Sequence, residues 1–159
     1  MAAQLQWVIR IVLGVFAVVV LTACSDATGV DQYGRKVPVE RIEGQWLVIN
    51  YWAEWCAPCR TEIPQLNALD KELAGKGVSV LGVNFDNLQG AELEKVSEAL
   101  GITFTVLASD PAERYKLPRS EALPVTYIID DSGRTRERLL GEQTAEGIKT
   151  KLAQLKAEG

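Results

Sequence analysis

The chain has 159 residues, of which 47% are hydrophobic and 24% are charged, and these values suit one globular domain rather than two domains or a disordered chain. Its formal net charge of −4 argues against nucleic-acid binding, which needs a basic face to neutralise phosphates. The sequence contains no histidine, so the commonest metal ligand and the commonest general base are both missing. We therefore predict no nucleic-acid partner, no metal and no cofactor.

An apolar segment lies near the start of the sequence. Residues 11–23 are uncharged and mostly apolar, and they are fewer than the ~20 that a membrane-spanning helix needs. The segment runs into Leu21-Thr22-Ala23-Cys24, which resembles a bacterial lipobox, where cleavage precedes an acylated cysteine. We predict a lipoprotein signal peptide over 1–23, lipidation of Cys24, a tether over 24–31 and a folded domain over 32–159. An uncleaved anchor is the alternative, and both interpretations place the domain outside the cytoplasm.

The rest of the chain alternates between strand and helix patterns. Continuous β-branched and aromatic runs predict buried strands, and apolar residues at three- and four-residue steps predict helices. The predicted elements are a short hairpin or edge strand over 31–45, strands over 46–52, 78–85, 102–108, 124–130 and 134–141, and helices over about 58–75, 90–101 and 144–159. This order predicts an α/β fold with a central mixed sheet and helices on both faces.

Two of the three cysteines, Cys56 and Cys59, lie where the first long strand runs into the first helix. The amides and dipole at a helix N-terminus favour negative charge, so we expect Cys56 to be the exposed thiol, with a lowered pKa, and Cys59 to be more buried, one turn further in. A structural disulfide is a weak alternative, because so short a loop constrains the unfolded chain little. A zinc site is another, but it needs four ligands, and the sequence has no further pair to supply them. Thiol–disulfide chemistry explains the pair best.

The segment VINYWAEWCAPCRTEIPQL, residues 48–66, resembles the thioredoxin superfamily. More narrowly, it is similar to the membrane-tethered thiol–disulfide oxidoreductases of its TlpA-like and ResA-like branch. The later segment LPVTYIID, residues 123–130, agrees with this resemblance. It implies a thioredoxin fold, here with an N-terminal β-hairpin extension, and a thiol–disulfide oxidoreductase with a redox-active disulfide between Cys56 and Cys59.

The resemblance also implies roles for single residues. Pro124 matches the cis-proline that faces the cysteine pair and lets the backbone around Leu123 pair with a substrate chain; a proline that merely starts a strand is the alternative. Glu62 matches an active-site glutamate that takes the proton from Cys59; a solvated acid near the helix start is the alternative. Exposed neighbours of the thiols complete the expected substrate-binding surface: Trp55, Ala57 and Pro58.

The function that follows is the reduction of disulfides in exported proteins, including apocytochrome c during cytochrome c maturation. The family resemblance implies a membrane electron donor of the DsbD or CcdA type. We expect a monomer in the bacterial periplasm, held to a membrane by its lipid, and Ser25 favours the outer membrane because it is not the aspartate that marks inner-membrane retention. A disulfide oxidase or isomerase of the same fold is the first alternative, and a redox-inactive binding or scaffold domain is the second.

Two departures from the family pattern concern the cis-proline loop and the residues between the cysteines. The segment KLPRSEAL, residues 116–123, is longer than the usual link to the cis-proline, and Ala122 replaces a common glycine. We expect this segment to reshape the surface that meets a partner. The pair Ala57-Pro58 is not the commonest in this branch, and a proline before the second cysteine resembles reducing members.

Overall fold

A computed structural model describes residues 28–158, and it confirms the α/β architecture. The strands are β1 (Trp46–Trp52), β2 (Val78–Asn84), β3 (Thr105–Leu107), β4 (Val125–Ile129) and β5 (Thr135–Leu140). The helices are α1 (Ala57–Leu73), α2 (Gly90–Ala99), α3 (Ala112–Tyr115) and α4 (Ala145–Ala157). The strands form one sheet in the order β3-β2-β1-β4-β5.

The sheet is mixed, as the order of elements predicts. β1 and β2 are parallel and are joined by α1, and β3 continues the parallel half beyond β2. β4 runs antiparallel to β1, and β5 pairs antiparallel with β4. β1 therefore lies at the centre, with a neighbour on each side and all seven of its residues buried. Its carboxyl end delivers the chain directly to the start of α1.

The two faces of the sheet are covered differently. Trp46, Val48 and Trp52 of β1 pack on the face that carries α1, α2 and α4. Leu47, Ile49 and Tyr51, which alternate with them, pack on the opposite face, as the two-residue period of a strand requires. There the cover consists of the single turn of α3, the loop that follows it and the segment around residues 37–42. The second face thus has no long helix in the part of the chain that the structure describes.

The predicted N-terminal hairpin is not confirmed. Val30 and Lys36 form an isolated antiparallel bridge, and a short 3-10 helix, Val39–Arg41, replaces the expected second strand. The turn is held by the Asp31 side chain, which accepts hydrogen bonds from the backbone N–H groups of Tyr33 and Arg35, each at 2.9 Å. Pro38 precedes the 3-10 helix and has no N–H to give a strand ladder.

The N-terminal predictions fall only partly within the described residues. The predicted signal peptide and Cys24 lie outside them. At the end of the predicted tether, Asp31 bridges Leu107 of β3, and the carbonyl of Val30 accepts a hydrogen bond from Ala108 N–H at 2.9 Å. These residues therefore extend the edge of the sheet. Between residues 28 and 158, no helix has both the length and the apolar character to cross a membrane.

Candidate active site

The cysteine pair lies at the N-terminus of α1. Cys56 is the N-cap residue in an extended conformation, and its sulfur accepts a hydrogen bond from the backbone N–H of Cys59 at 3.3 Å. Pro58 lies in the first turn, where a residue without an N–H costs no helical hydrogen bond. The Cys56 sulfur is thus placed against the positive end of a 17-residue helix, an environment that stabilises a thiolate.

The two cysteines are joined by a disulfide bond. The S–S distance is 2.06 Å, and the two Cα atoms are 5.3 Å apart. The exposed fraction is 5% for Cys56 and 0% for Cys59. In this oxidised form the exposure of Cys56 is smaller than the sequence prediction of an exposed thiol implies. The order of accessibility is nevertheless the predicted one, because only Cys56 is open to an incoming sulfur.

The residues around the pair form an exposed rim. Trp55 is 64% exposed, and Ala57 and Pro58 are exposed as well. The Trp55 ring is held in place although it faces solvent, because its indole N–H donates to the Asp86 carboxylate at 3.0 Å and its ring packs edge-on against Phe85 at 6.4 Å. An apolar surface of fixed orientation therefore adjoins the disulfide.

The peptide bond between Leu123 and Pro124 is cis, the conformation that the family resemblance implies. Pro124 is buried, Leu123 is half-buried, and the Pro124 carbonyl accepts a hydrogen bond from Gly141 N–H at 2.9 Å. The next residue, Val125, pairs with Tyr51 near the end of β1. The cis bond is therefore placed beside the strand end from which the chain enters the Trp55–Cys59 segment.

Glu62 lies on the buried face of α1 and is completely inaccessible to solvent. One carboxylate oxygen accepts a hydrogen bond from the Asn50 side-chain amide at 2.7 Å, and the other accepts one from Gln143 N–H at 3.0 Å. Asn50 also donates to the Thr126 hydroxyl at 3.0 Å. This burial contradicts the alternative of a solvated acid, and Glu62 instead connects α1 with β1 and with the loop before α4, while Asn50 extends the network to β4.

The hydrogen-bond donors of Glu62 are neutral. Burial raises the pKa of Glu62 to about 7, against the lowering effect of the hydrogen bonds from Asn50 and Gln143. The charged neighbour that acts on this pKa, Glu142, is acidic and raises it as well. No ion pair with a cation holds this carboxylate among residues 28–158. The group can therefore take up or release a proton near neutral pH, which an ordinary surface glutamate does not do.

Two members of this network, Thr126 and Gln143, were not predicted from the sequence. Thr126 follows Pro124 by two residues, so the alternation of a strand from Pro124 onward could have placed its side chain on the α1 face. Gln143 contributes only its backbone N–H, and no residue type signals that. A further feature is an unpaired acceptor, since the Asn50 Oδ1 atom is buried without a hydrogen-bond partner in the described part of the chain.

Comparison with known proteins agrees with this geometry. The AhpC/TSA family matches residues 20–138. The thiol–disulfide oxidoreductase ResA of Geobacillus thermodenitrificans is 30% identical over 140 residues, covering 88% of this chain and 80% of the relative. The thiol:disulfide interchange protein HelX of Rhodobacter capsulatus is 34% identical, covering 78% of this chain and 77% of the relative.

The chain belongs to the AhpC/TSA family. The predicted membership of the thioredoxin superfamily and the predicted enzyme class, thiol–disulfide oxidoreductase, are thereby confirmed. A solved structure of a thioredoxin family protein from Chlorobium tepidum supports the fold, with a TM-score of 0.67 at 23% identity over 80% of this chain and 90% of that one. A second structure from this organism, of a putative thiol:disulfide interchange protein DsbE, has a TM-score of 0.58 at 25% identity and covers 77% of this chain and 86% of that one.

Proposed function

We propose that this oxidoreductase reduces disulfides in exported proteins, with Cys56 as the attacking thiolate and Cys59 as the resolving thiol. The observation that carries the proposal is the pairing of a slightly exposed sulfur at the tip of α1 with a bonded, fully buried partner one turn inside. A thiolate needs access to attack, whereas a resolving thiol needs only to reach its neighbour.

The reaction is a pair of thiol–disulfide exchanges. The Cys56 thiolate attacks one sulfur of the substrate disulfide, a bond forms between them, and the other substrate sulfur leaves as a thiolate. Cys59 then loses its proton and attacks the Cys56 sulfur. The protein disulfide forms, the second substrate thiol is released, and two electrons have passed to the substrate.

Glu62 is proposed to accept the Cys59 proton. It lies three residues further along α1, almost one helical turn, and its pKa of about 7 suits proton exchange near neutral pH. The cis bond before Pro124 and the exposed rim of Trp55, Ala57 and Pro58 are proposed to receive the substrate chain, with the Leu123 backbone as its pairing partner. Their place beside the cysteine pair in the fold supports this role.

The proposed location and electron donor are argued from the N-terminal sequence. The apolar leader and Cys24 support export, cleavage and a lipid anchor in the periplasm, most simply at the outer membrane. Because the oxidised pair must be reduced again there, we propose a membrane protein of the DsbD or CcdA type as electron donor. Exported proteins that carry disulfides, apocytochrome c among them, are the proposed substrates of a protein that acts as a monomer.

Reduction of insulin disulfides by dithiothreitol tests the activity. The Cys24→Ser chain is expected to accelerate the reaction, and the additional change Cys56→Ser to abolish the acceleration. An intact pair that does not turn over would favour a binding role instead. The redox potential tests the direction of electron flow: a reductant is expected near the roughly −270 mV of thioredoxin, while a value above about −150 mV would favour an oxidant.

The substrates can be identified by trapping. Without its resolving thiol, a Cys59→Ser variant is expected to hold its partner as a stable mixed disulfide on Cys56. Recovery of exported proteins would support the proposed setting, whereas recovery of cytoplasmic proteins alone would contradict it. The Cys56→Ser variant is the matched control and should recover none through this position.

A further inference from the structure

A cavity of about 260 Å³ lies on the face of the sheet opposite α1. Its walls include three aromatic side chains and two aliphatic ones: Tyr51, Phe85, Tyr127, Leu117 and Val125. The volume is slightly below the range of about 300–1,000 Å³ for drug-sized ligands, so it suits one amino-acid side chain. The cavity shares no residue with the buried Glu62 network on the other side of the sheet.

The cavity adjoins the candidate active site at two points. Val125 directly follows Pro124 and pairs with Tyr51 across β1 and β4. Phe85 packs edge-on against Trp55, the residue before Cys56. One wall of the cavity is thus continuous with the cis-proline loop, and another supports the exposed rim of the thiols. A chain bound along the rim would pass close to this cavity.

The cavity is also lined by the KLPRSEAL segment, which we expect from the sequence to be longer than the usual link to the cis-proline. Leu117, Pro118, Arg119 and Ser120 all belong to KLPRSEAL, and all four line the cavity. The segment is tied down, because the Tyr127 hydroxyl donates to the Pro118 carbonyl and Arg138 donates to the Ser120 hydroxyl. A wall that is fixed in this way is suited to select among partners.

The cavity carries one charge of each sign and three aromatic rings. Asp110 supplies one negative charge, and its carboxylate accepts hydrogen bonds from the Tyr51 hydroxyl at 2.6 Å and from Ala112 N–H at 2.8 Å. Arg119 supplies one positive charge. The two charges therefore select neither an acidic nor a basic side chain, whereas three aromatic rings in the wall offer edge and stacked contacts to an aromatic side chain.

We propose that this cavity is a specificity pocket that receives an aromatic side chain of the substrate polypeptide, from a residue close in sequence to the cysteine that bonds to Cys56. The inference rests on the proposed function, since it requires Cys56 to attack a polypeptide disulfide. It assigns the selection of partners to Tyr51, Phe85 and the KLPRSEAL segment.

The test uses short cysteine peptides activated as mixed disulfides with thionitrobenzoate. The reduced chain with Cys24→Ser and Cys59→Ser attacks the peptide sulfur through Cys56. The Cys56–peptide disulfide forms, and coloured thionitrobenzoate leaves with the electron pair of the broken bond. Each peptide carries Phe, Ala, Glu or Lys at one of the two positions before or the two positions after its cysteine. The rate of thionitrobenzoate release is divided by the rate at which the same protein reacts with oxidised glutathione.

The Phe peptide is expected to react about tenfold faster than the Ala peptide at one position at least, since burying most of an aromatic side chain is worth a factor of this size. Ala112→Leu fills the cavity and Leu117→Ala removes a wall, so both should reduce this ratio towards one. Ala99→Leu, the same substitution at an exposed position of α2, is the matched control and should keep the ratio.

Each other outcome has a definite meaning. Equal rates for Phe and Ala at every position, or a ratio that survives both Ala112→Leu and Leu117→Ala, would overturn the pocket. A preference for Glu or Lys would overturn the aromatic occupant. A dimer in sedimentation that Ala112→Leu dissolves would assign the cavity to a second copy of the chain. Failure of Cys56 to react even with oxidised glutathione would instead refute the proposed function on which the pocket depends.

Discussion

Glu62 and Asp130 are two buried carboxylates of one fold, yet their surroundings are opposite. Asp130 lies at the end of β4 and accepts hydrogen bonds from the Ser132 hydroxyl at 2.6 Å and from the Arg134 guanidinium at 2.9 Å. Arg136 adds a second cation at 3.4 Å. Glu62 is also closed to solvent, but its hydrogen-bond donors, Asn50 and Gln143, are both neutral.

The difference separates an acid that stays ionised from one that exchanges its proton near neutral pH. Burial acts to raise the pKa of Asp130, but the hydrogen bonds from Ser132 and Arg134 and the charge of Arg134 together lower it to about 2. Asp130 therefore stays ionised and holds the turn between β4 and β5. Burial without a cation raises the pKa of Glu62 to about 7, so its proton is available for chemistry. The predictions below test this separation.

Glu62→Gln is expected to have the largest effect on catalysis. The substitution keeps the shape of the side chain but removes the proton acceptor, so the attack of Cys59 on a mixed disulfide at Cys56 should slow about 100-fold at neutral pH. Rapid mixing of the reduced protein with a chromogenic disulfide measures this step. Asp130→Asn is the matched control and should leave the rate unchanged; equal rates in all three proteins would remove Glu62 from the mechanism.

Asp130→Ala should give the opposite result. It leaves the backbone N–H groups of Ser132 and Arg134 without their acceptor, and we expect the free energy of unfolding to fall by about 3 kcal/mol. Urea denaturation measures the loss, and the activity per folded molecule should stay the same. A variant of normal stability with lost activity would reverse the roles assigned to the two carboxylates.

The pH dependence of stability should carry the signature of Glu62. The folded state holds this proton more tightly than the unfolded chain, so the free energy of unfolding falls as the pH rises from 4.5 through about 7. The Glu62 contribution is expected to be about 2 kcal/mol between about pH 5.5 and about pH 7.5. Urea denaturation of the native protein and of Glu62→Gln should differ by this slope, and parallel curves would contradict the raised pKa.

Thr126→Val is expected to have the smallest effect. Valine has nearly the same shape as threonine but cannot accept the hydrogen bond from Asn50, so the free energy of unfolding should fall by about 1 kcal/mol. Thr103→Val, at an exposed position, is the control for the substitution itself. If both variants unfold at the same urea concentration as the native protein, the Asn50–Thr126 bond does not contribute to the Glu62 network.

Most of the fold could be predicted from local patterns in the sequence. Such local signals include the apolar runs of β1, β2 and β4 and the cysteines where β1 leads into α1. The N-cap of α4 is another, since the Thr144 hydroxyl accepts a hydrogen bond from Gly147 N–H at 3.1 Å, as the residue type predicts. The predicted N-terminal hairpin was not confirmed, because the alternation of Val37 and Val39 suits a strand, whereas Pro38 and the Asp31 turn decide the backbone there.

The site was predictable where it depends on a motif and not where it depends on distant packing. Cys56, Cys59 and Pro124 were found because each belongs to a recognisable segment. The burial of Glu62 was not predicted, since it depends on packing against Gln143, which lies 81 residues away in sequence. The cavity beside Tyr51 was missed for the same reason, since its walls come from β1, β4, α3 and three loops, of which only KLPRSEAL was singled out in the sequence.

Alkylation of the reduced protein tests the central claim most directly. The claim is that Cys56 is an accessible thiolate at the tip of α1 and Cys59 is its buried partner. Iodoacetamide at about pH 6, where a free cysteine is almost fully protonated, should modify Cys56 quickly and leave Cys59 unmodified, as read by peptide mass mapping of the Cys24→Ser chain. Equal labelling of both, labelling of Cys59 first, or a Cys56 rate no greater than that of free cysteine would contradict the account.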